Sequence, residues 1–304
     1  MNGVIVIDKP QDFTSFDVVA VVRKIIHEKK IGHSGTLDPM ATGVLPLLIG
    51  KAAKAQSLLP DTDKEYEAHF RLGITTDTLD ITGLVLSESR SAVTEEQIEE
   101  LLPQFRGNIM QVPPMYSAVH HNGARLYDLA RKGIEVDREA RPVHIGKLEL
   151  TGFDKGSQEG ILSISCSKGT YIRSVCDDIG KALGCGCVMT ALRRTKACGF
   201  SAEDAVTLDD LRSIADEGKT ESIIRSVDSI FSCYPALDIS DGQAKRFYNG
   251  GALLLERLKG LCSMENGTVY RVYGKFGDKE NEFIGLGEIR TETGEMAAMK
   301  KFAE

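Results

Sequence analysis

GHSGTLDPMATGVLPLLIG, residues 32–50, places glycine at 32, 35, 43 and 50 and proline at 39 and 46. Glycine removes side-chain bulk, whereas proline fixes φ and removes a backbone donor. The stretch therefore does not read as one regular element. The pattern predicts a shaped loop followed by a strand over Val44–Ile49. Asp38 sits among Gly35, Thr36, Pro39 and Gly43. The residues alone leave two roles for it. It is either a local turn cap or a carboxylate offered to a substrate that approaches the backbone closely.

Working outward, Val4–Ile7 is an apolar, β-prone run ended by Asp8, Lys9 and Pro10. Thr14 and Ser15 offer caps to a helix over Phe16–Ile26, where Val18, Val19, Val22, Ile25 and Ile26 recur at helical spacing. Lys64–Leu72 alternates (Tyr66, Ala68, Phe70, Leu72) and predicts a strand, and Thr94 caps a helix that runs to Leu102. Pro113-Pro114 keeps Gln111–Ser117 extended, and Ala124–Lys132 predicts a helix. Lys147–Phe153 and Ile161–Ser167 read as paired strands, and Gly169–Leu183 as a glycine turn running into a helix. Strands and helices mix without βαβ alternation, which predicts an α+β fold with a mixed, largely antiparallel sheet flanked by helices. A boundary near Cys233–Pro235 parts a large unit, 1–233, from a small β-rich one, 234–304. The small unit holds strands Val269–Phe276 and Phe283–Ile289, separated by Gly277-Asp278-Lys279.

Composition sets the outer limits. At 304 residues the chain exceeds the size at which one core usually stays whole, which agrees with two units. No apolar run approaches the ~18 residues of a membrane span, and MNGVIVIDKP does not read as a signal peptide. Seven cysteines cannot all pair within the chain, and Cys185 with Cys187 lacks a second pair at zinc spacing. Reduced thiols in the cytoplasm are expected. A net charge of -7 speaks weakly against a nucleic-acid partner, yet the distribution counts for more. Arg23, Lys24, His27, Lys29 and Lys30 precede the glycine-rich stretch, and Arg193, Arg194 and Lys196 cluster without an acid between them. Residues 203–241 hold ten acids against three bases. A basic face with an acidic back fits these counts, and so does scattered solvated charge.

Residues 32–45 fit Gly-His-x-Gly-x-Leu-Asp-Pro-x-Ala-x-Gly-x-Leu at every fixed position. This is the pattern of the TruB family of tRNA pseudouridine synthases, which the chain resembles from residue 3 to about residue 200. Further blocks follow in the family's order: Asp8-Lys9-Pro10 with Thr14-Ser15, Lys64-Glu65-Tyr66, residues 113–118 with Gly123, Leu126, Tyr127 and Ala130-Arg131, residues 169–174, and Leu192-Arg193-Arg194. The resemblance implies a pseudouridine-synthase-type sheet with a C-terminal PUA-like RNA-binding domain. It also implies a stand-alone monomer that isomerises a uridine in the T-loop of tRNA, without cofactor, metal or nucleotide.

Residue by residue, the resemblance implies Asp38 as the nucleophile or base that opens the glycosidic bond. Arg173 would pair with it, a guanidinium opposing the upward push of burial on the carboxyl. Tyr66 would stack on the target base and is a candidate to take the C5 proton. Tyr171 and Leu192 would line the uridine pocket. His33 would fill the gap left by the extruded nucleotide, and Arg193 and Arg194 would meet phosphate. Residues 113–141 would form an insertion that grips the T-loop. Two positions depart from the family pattern: His120 stands where lysine is common, and Asp12 where glycine follows the Lys-Pro pair. The alternative function is a tRNA-binding folding helper that needs no turnover. A third, an N-glycosylase, would release free uracil.

Overall fold

The computed structural model describes residues 1–60, 63–276 and 279–302. In chain order its first strands are β1 (Gly3–Lys9), β2 (Ile31–His33), β3 (Thr42–Ile49), β4 (Lys64–Leu72), the hairpin β5 (Ile74–Thr76) and β6 (Val85–Glu88), and β7 (Gly107–Gln111). A small hairpin follows, β8 (His120–His121) and β9 (Ala124–Arg125), then β10 (Arg141–Asp154), β11 (Glu159–Cys166), β12 (Cys187–Ala197) and β13 (Phe200–Ser201). A nine-stranded sheet runs β1-β3-β12-β4-β11-β10-β7, with β2 added to β3 and β13 to β12. All its pairings are antiparallel except β3 with β12. The α+β expectation with a largely antiparallel sheet is met.

Sequence pattern explains how the sheet is covered. β1 and β3 are buried on both faces and read as continuous apolar runs. On one face α1 (Ser15–Ile26) sets Val18, Val19, Val22 and Ile26 against Ile5, Ile7, Leu45 and Leu47. Thr14 and Asp17 form a reciprocal capping box at its start. β4 alternates instead, with Tyr66, Ala68, Phe70 and Leu72 turned inward. That inner face meets α4 (Ile172–Ala182) through Ile172, Val175, Cys176 and Ile179, and α2 (Glu95–Leu101) through Ile98. Each such side chain contributes roughly 1.5–3 kcal/mol by leaving water.

One predicted helix is shorter than expected. Ala124 and Arg125 belong to β9, and α3 covers only Leu126–Ala130. Asn122 and Gly123, at φ 49° and 84°, turn the chain between β8 and β9. Asn-Gly is the dipeptide that such two-residue hairpins favour.

After α5 (Leu208–Asp216) a second sheet forms from β14 (Ala236–Asp238), β15 (Leu253–Leu254), β16 (Val269–Phe276), β17 (Lys279–Arg290) and β18 (Glu295–Lys301), in the order β14-β16-β17-β18-β15. Gly277 and Asp278, expected between two strands, lie outside the described residues. Ala244 and Phe247 of α6 (Asp241–Tyr248) pack on this sheet against Tyr270, Val272, Ile284 and Met296. The two sheets meet along an apolar seam in which Val4, Val6 and Leu48 join Phe231, Leu286 and Phe302. Phe231 and Phe302 stand 5.7 Å apart between ring centres. No helix of the described residues is long and apolar enough to cross a membrane.

Candidate active site

Asp38 lies on the loop between β2 and β3, and distant segments hold that loop. Ser15 is buried at the start of α1, where its Oγ accepts from Leu37 N–H at 2.8 Å. Lys9 is fully buried at the end of β1, and its Nζ donates to the carbonyls of Pro10, Phe13 and Pro39. Burial lowers the Lys9 pKa to about 8. Asp12 N–H donates to Pro39 O at 2.9 Å. Asp12 adopts φ 65°, a left-handed conformation that glycine takes at no cost and Asp tolerates better than most residues. The departure from glycine therefore keeps a turn that still fastens the loop.

Arg173, the second residue of α4, meets Asp38. Its Nε lies 3.0 Å from Asp38 Oδ2, while Nη1 stands 3.7 Å from Asp80 Oδ2. Nη1 also donates to Thr78 O and Nη2 to Tyr116 O, each at 2.9 Å. The guanidinium is thus bound by three other stretches of chain. Upstream, Gln111 Oε1 accepts from Tyr171 N–H at 2.8 Å and its Nε2 donates to Tyr171 O at 3.1 Å. This amide clip fixes the start of α4, two residues before Arg173. The arginine side chain is 5% exposed and that of Asp38 39%, so the carboxylate is the member of the pair that faces outward. Burial nonetheless raises the Asp38 pKa. Arg173 pulls against that rise and Asp80 adds to it, so the pull expected of the guanidinium is present but outweighed.

Of the remaining predicted pocket residues, Tyr66 and Leu192 share one core cluster. Tyr66, on β4, belongs to the cluster that holds Leu37, Ala41, Ile172 and Leu192. Its phenol is pushed up to about 12 by burial, and is protonated at neutral pH. Leu192 pairs with Ala68 across β12 and β4, next to Tyr66. Tyr171 is half-buried at the N-cap of α4. His33 ends β2, half-buried, and burial followed by the nearby Arg194 charge lowers its pKa. The ring is neutral at physiological pH.

The two arginines of β12 part company. Arg193 makes a two-pronged ion pair with Asp8, at 3.1 and 2.8 Å, and stays 39% exposed. Arg194 has no exposure, and its Nε and Nη2 donate to the carbonyls of Val44 and Gly35. The expected phosphate contact of Arg194 is therefore corrected: a strand sends adjacent side chains to opposite faces, and this one points inward.

Sequence reasoning missed Asp80, which is buried within the β5–β6 hairpin and accepts from Thr78 Oγ1 and from the N–H and Oγ1 of Thr82. The Thr/Asp run of residues 75–82 was the available signal, since its acids and hydroxyls satisfy one another locally. Among the described residues, no group of three or more His, Cys, Asp or Glu is placed to hold a metal ion.

The chain matches the TruB family pseudouridylate synthase N-terminal domain over residues 23–172 and the tRNA pseudouridylate synthase B C-terminal domain over 173–232. It is 44% identical to tRNA pseudouridine synthase B of Chromobacterium violaceum, covering 95% of this chain and 91% of that one. The protein of the same name from Clostridium tetani is 43% identical, with 95% and 96% covered. A chain from a solved Cbf5-Nop10-Gar1 complex is similar with a TM-score of 0.75 at 26% identity, covering 99% of this chain and 84% of that one. A loop matched at every fixed position, a carboxylate held by a buried arginine, and this likeness along almost the whole length agree: the chain belongs to the TruB family of pseudouridylate synthases.

Proposed function

We propose that this protein isomerises one uridine of the tRNA T-loop, position 55, to pseudouridine. The bond from N1 to C1′ breaks, the uracil turns, and C5 bonds to C1′. C5 gives up its proton and N1 gains one, so no redox partner is consumed. The observation that carries this reading is the Asp38–Arg173 pair: an outward carboxylate held at 3.0 Å by a guanidinium that is itself bound on its other arms.

Asp38 is the group that opens the glycosidic bond, as a nucleophile or as a base, and a carboxylate suits either route. Arg173 aims it and offsets part of the cost of its burial. Tyr66 stacks on the extruded base, where a flat ring contributes ~1–3 kcal/mol. Its protonated phenol is the candidate acceptor for the C5 proton only if it first loses its own. Tyr171 and Leu192 close the pocket, and the neutral His33 ring refills the gap in the T-loop. Arg193, half-exposed despite Asp8, faces the RNA backbone. We assign residues 1–233 to catalysis, 113–141 to gripping the T-loop, and 234–304 to a PUA-like RNA-binding domain. The enzyme acts alone, as a monomer, in the cytoplasm.

The test is tritium release from C5-labelled uridine in a T-stem-loop. Wild type should release one tritium per RNA and no free uracil. Asp38→Asn should release none while its RNA affinity stays within about tenfold, ~1.4 kcal/mol. Turnover by that variant would take Asp38 out of its role, and free uracil would make the protein a glycosylase.

A further inference from the structure

Arg194 is among the largest side chains with no exposure at all, and its Nε and Nη2 donate to backbone carbonyls. Its own backbone pairs with Gly43 on one side and with Tyr66 on the other. From there the guanidinium reaches beneath the loop, with Nε 2.7 Å from Val44 O and Nη2 3.2 Å from Gly35 O. Gly35 and Val44 bracket Asp38, so a single planar fork closes both ends of the loop. Nη1 is buried and has no hydrogen-bond partner. A Cβ built on Gly35 would stand 3.7 Å from it, and the Tyr66 phenol feels its charge. A buried cation held by neutral acceptors is costly relative to one in water, and an orphaned buried donor calls for a reason. Surface phosphate binding is not that reason, because the side chain does not reach solvent.

We propose that Arg194 is a positioning residue that ties the Asp38 loop to Tyr66, fixing where the carboxylate stands relative to the stacked base. This rests on the roles given above to Asp38 and Tyr66. Lysine could not replace it, since an ammonium on a flexible stem lacks the two-armed fork that reaches Gly35 and Val44 together.

The experiment compares wild type, Arg194→Lys and Arg194→Gly in single-turnover tritium release and in RNA binding across a salt series. Arg194→Lys should turn over about 30-fold more slowly at saturating RNA, with Kd within about threefold and an unchanged salt slope. Arg194→Gly should lose more, and added guanidinium chloride should restore its rate about tenfold while tetramethylammonium chloride at equal concentration does not. Rates of Arg194→Lys within about threefold of wild type would overturn the proposal. So would a loss confined to Kd with a shallower salt slope, which is the mark of a phosphate contact. Two variants that both fail to fold would also overturn it, making Arg194 a determinant of the fold. An inactive wild type would sink the functional reading and this inference together, whereas an active wild type beside an active Arg194→Lys sinks the inference alone.

Discussion

The loop bearing Asp38 and the segment 113–140 both lack long regular structure, but they are held in opposite ways. The loop accepts hydrogen bonds from Lys9, Asp12 and Arg194 and donates one to Ser15, all in other segments of the chain. Apart from Tyr116, which accepts from Arg173 and donates to Asp77, the segment leans mostly on itself. Arg138 Nη1 donates to Pro113 O, and the guanidinium groups of Arg125 and Arg131 stand 5.8 and 5.5 Å from the Tyr127 ring centre. Pro113, Pro114, Ser117 and Leu126 are buried, and the segment's other side chains are half-buried or exposed. The contrast fits the two tasks proposed for them. Bond-breaking tolerates well under 1 Å of misplacement, whereas a surface that closes over RNA draws on weakly held structure.

The sharpest way to break the comparison is Gly43→Ala. Gly43 sits at φ 101°, and a Cβ there would lie 2.2 Å from Arg194 O. The variant should lose about 3 kcal/mol of stability or fail to fold. Chemical denaturation measures this, and wild-type stability would mean that the loop is not rigid. A smaller effect is expected of Asp80→Asn, which loosens one brace of Arg173. Turnover should fall ~10–100-fold with little change in binding. The acid limb of kcat/KM should also move. In the role proposed for it Asp38 acts ionised, and its raised pKa means that activity fades sooner as pH falls. Asp80 contributes to the rise, so its neutralisation should shift the limb to lower pH. An upward shift would contradict the assigned direction. Smallest is Tyr127→Ala in the segment. Losing both cation–π contacts should weaken RNA binding about fivefold, ~1 kcal/mol. Its melting temperature and its rate at saturating RNA should not change. A slower rate at saturation would show that the segment shares in the chemistry.

What the sequence made legible follows from range. The Thr14 cap, the alternation of β4 and the glycine-rich character of 32–50 are local patterns, and each appears where it was read. Asp38, Tyr66 and Arg173 emerged through the family pattern; Asp38 and Arg173 stand 3.0 Å apart, and Tyr66 shares a core cluster with their chain neighbours Leu37 and Ile172. The supports did not emerge. Arg173 reaches Thr78 across 95 positions of sequence, and Gln111 reaches Tyr171 across 60. No local periodicity reports such contacts. The inward turn of Arg194 was legible in principle, because Leu192-Arg193-Arg194 on a strand must send one arginine to each face. Charge clustering, read without that alternation, put both on the surface.

The wiring of Arg173 bears on how this enzyme tolerates sequence drift. Its partners come from positions 38, 78, 80 and 116, three separate stretches of the chain. A chimera that borrows the helix around residue 173 from a cousin, or the hairpin around residue 80, imports one spoke of a hub built for others. Such grafts should succeed only when all the spokes travel together, so the catalytic half behaves as one heritable unit despite its many separate segments.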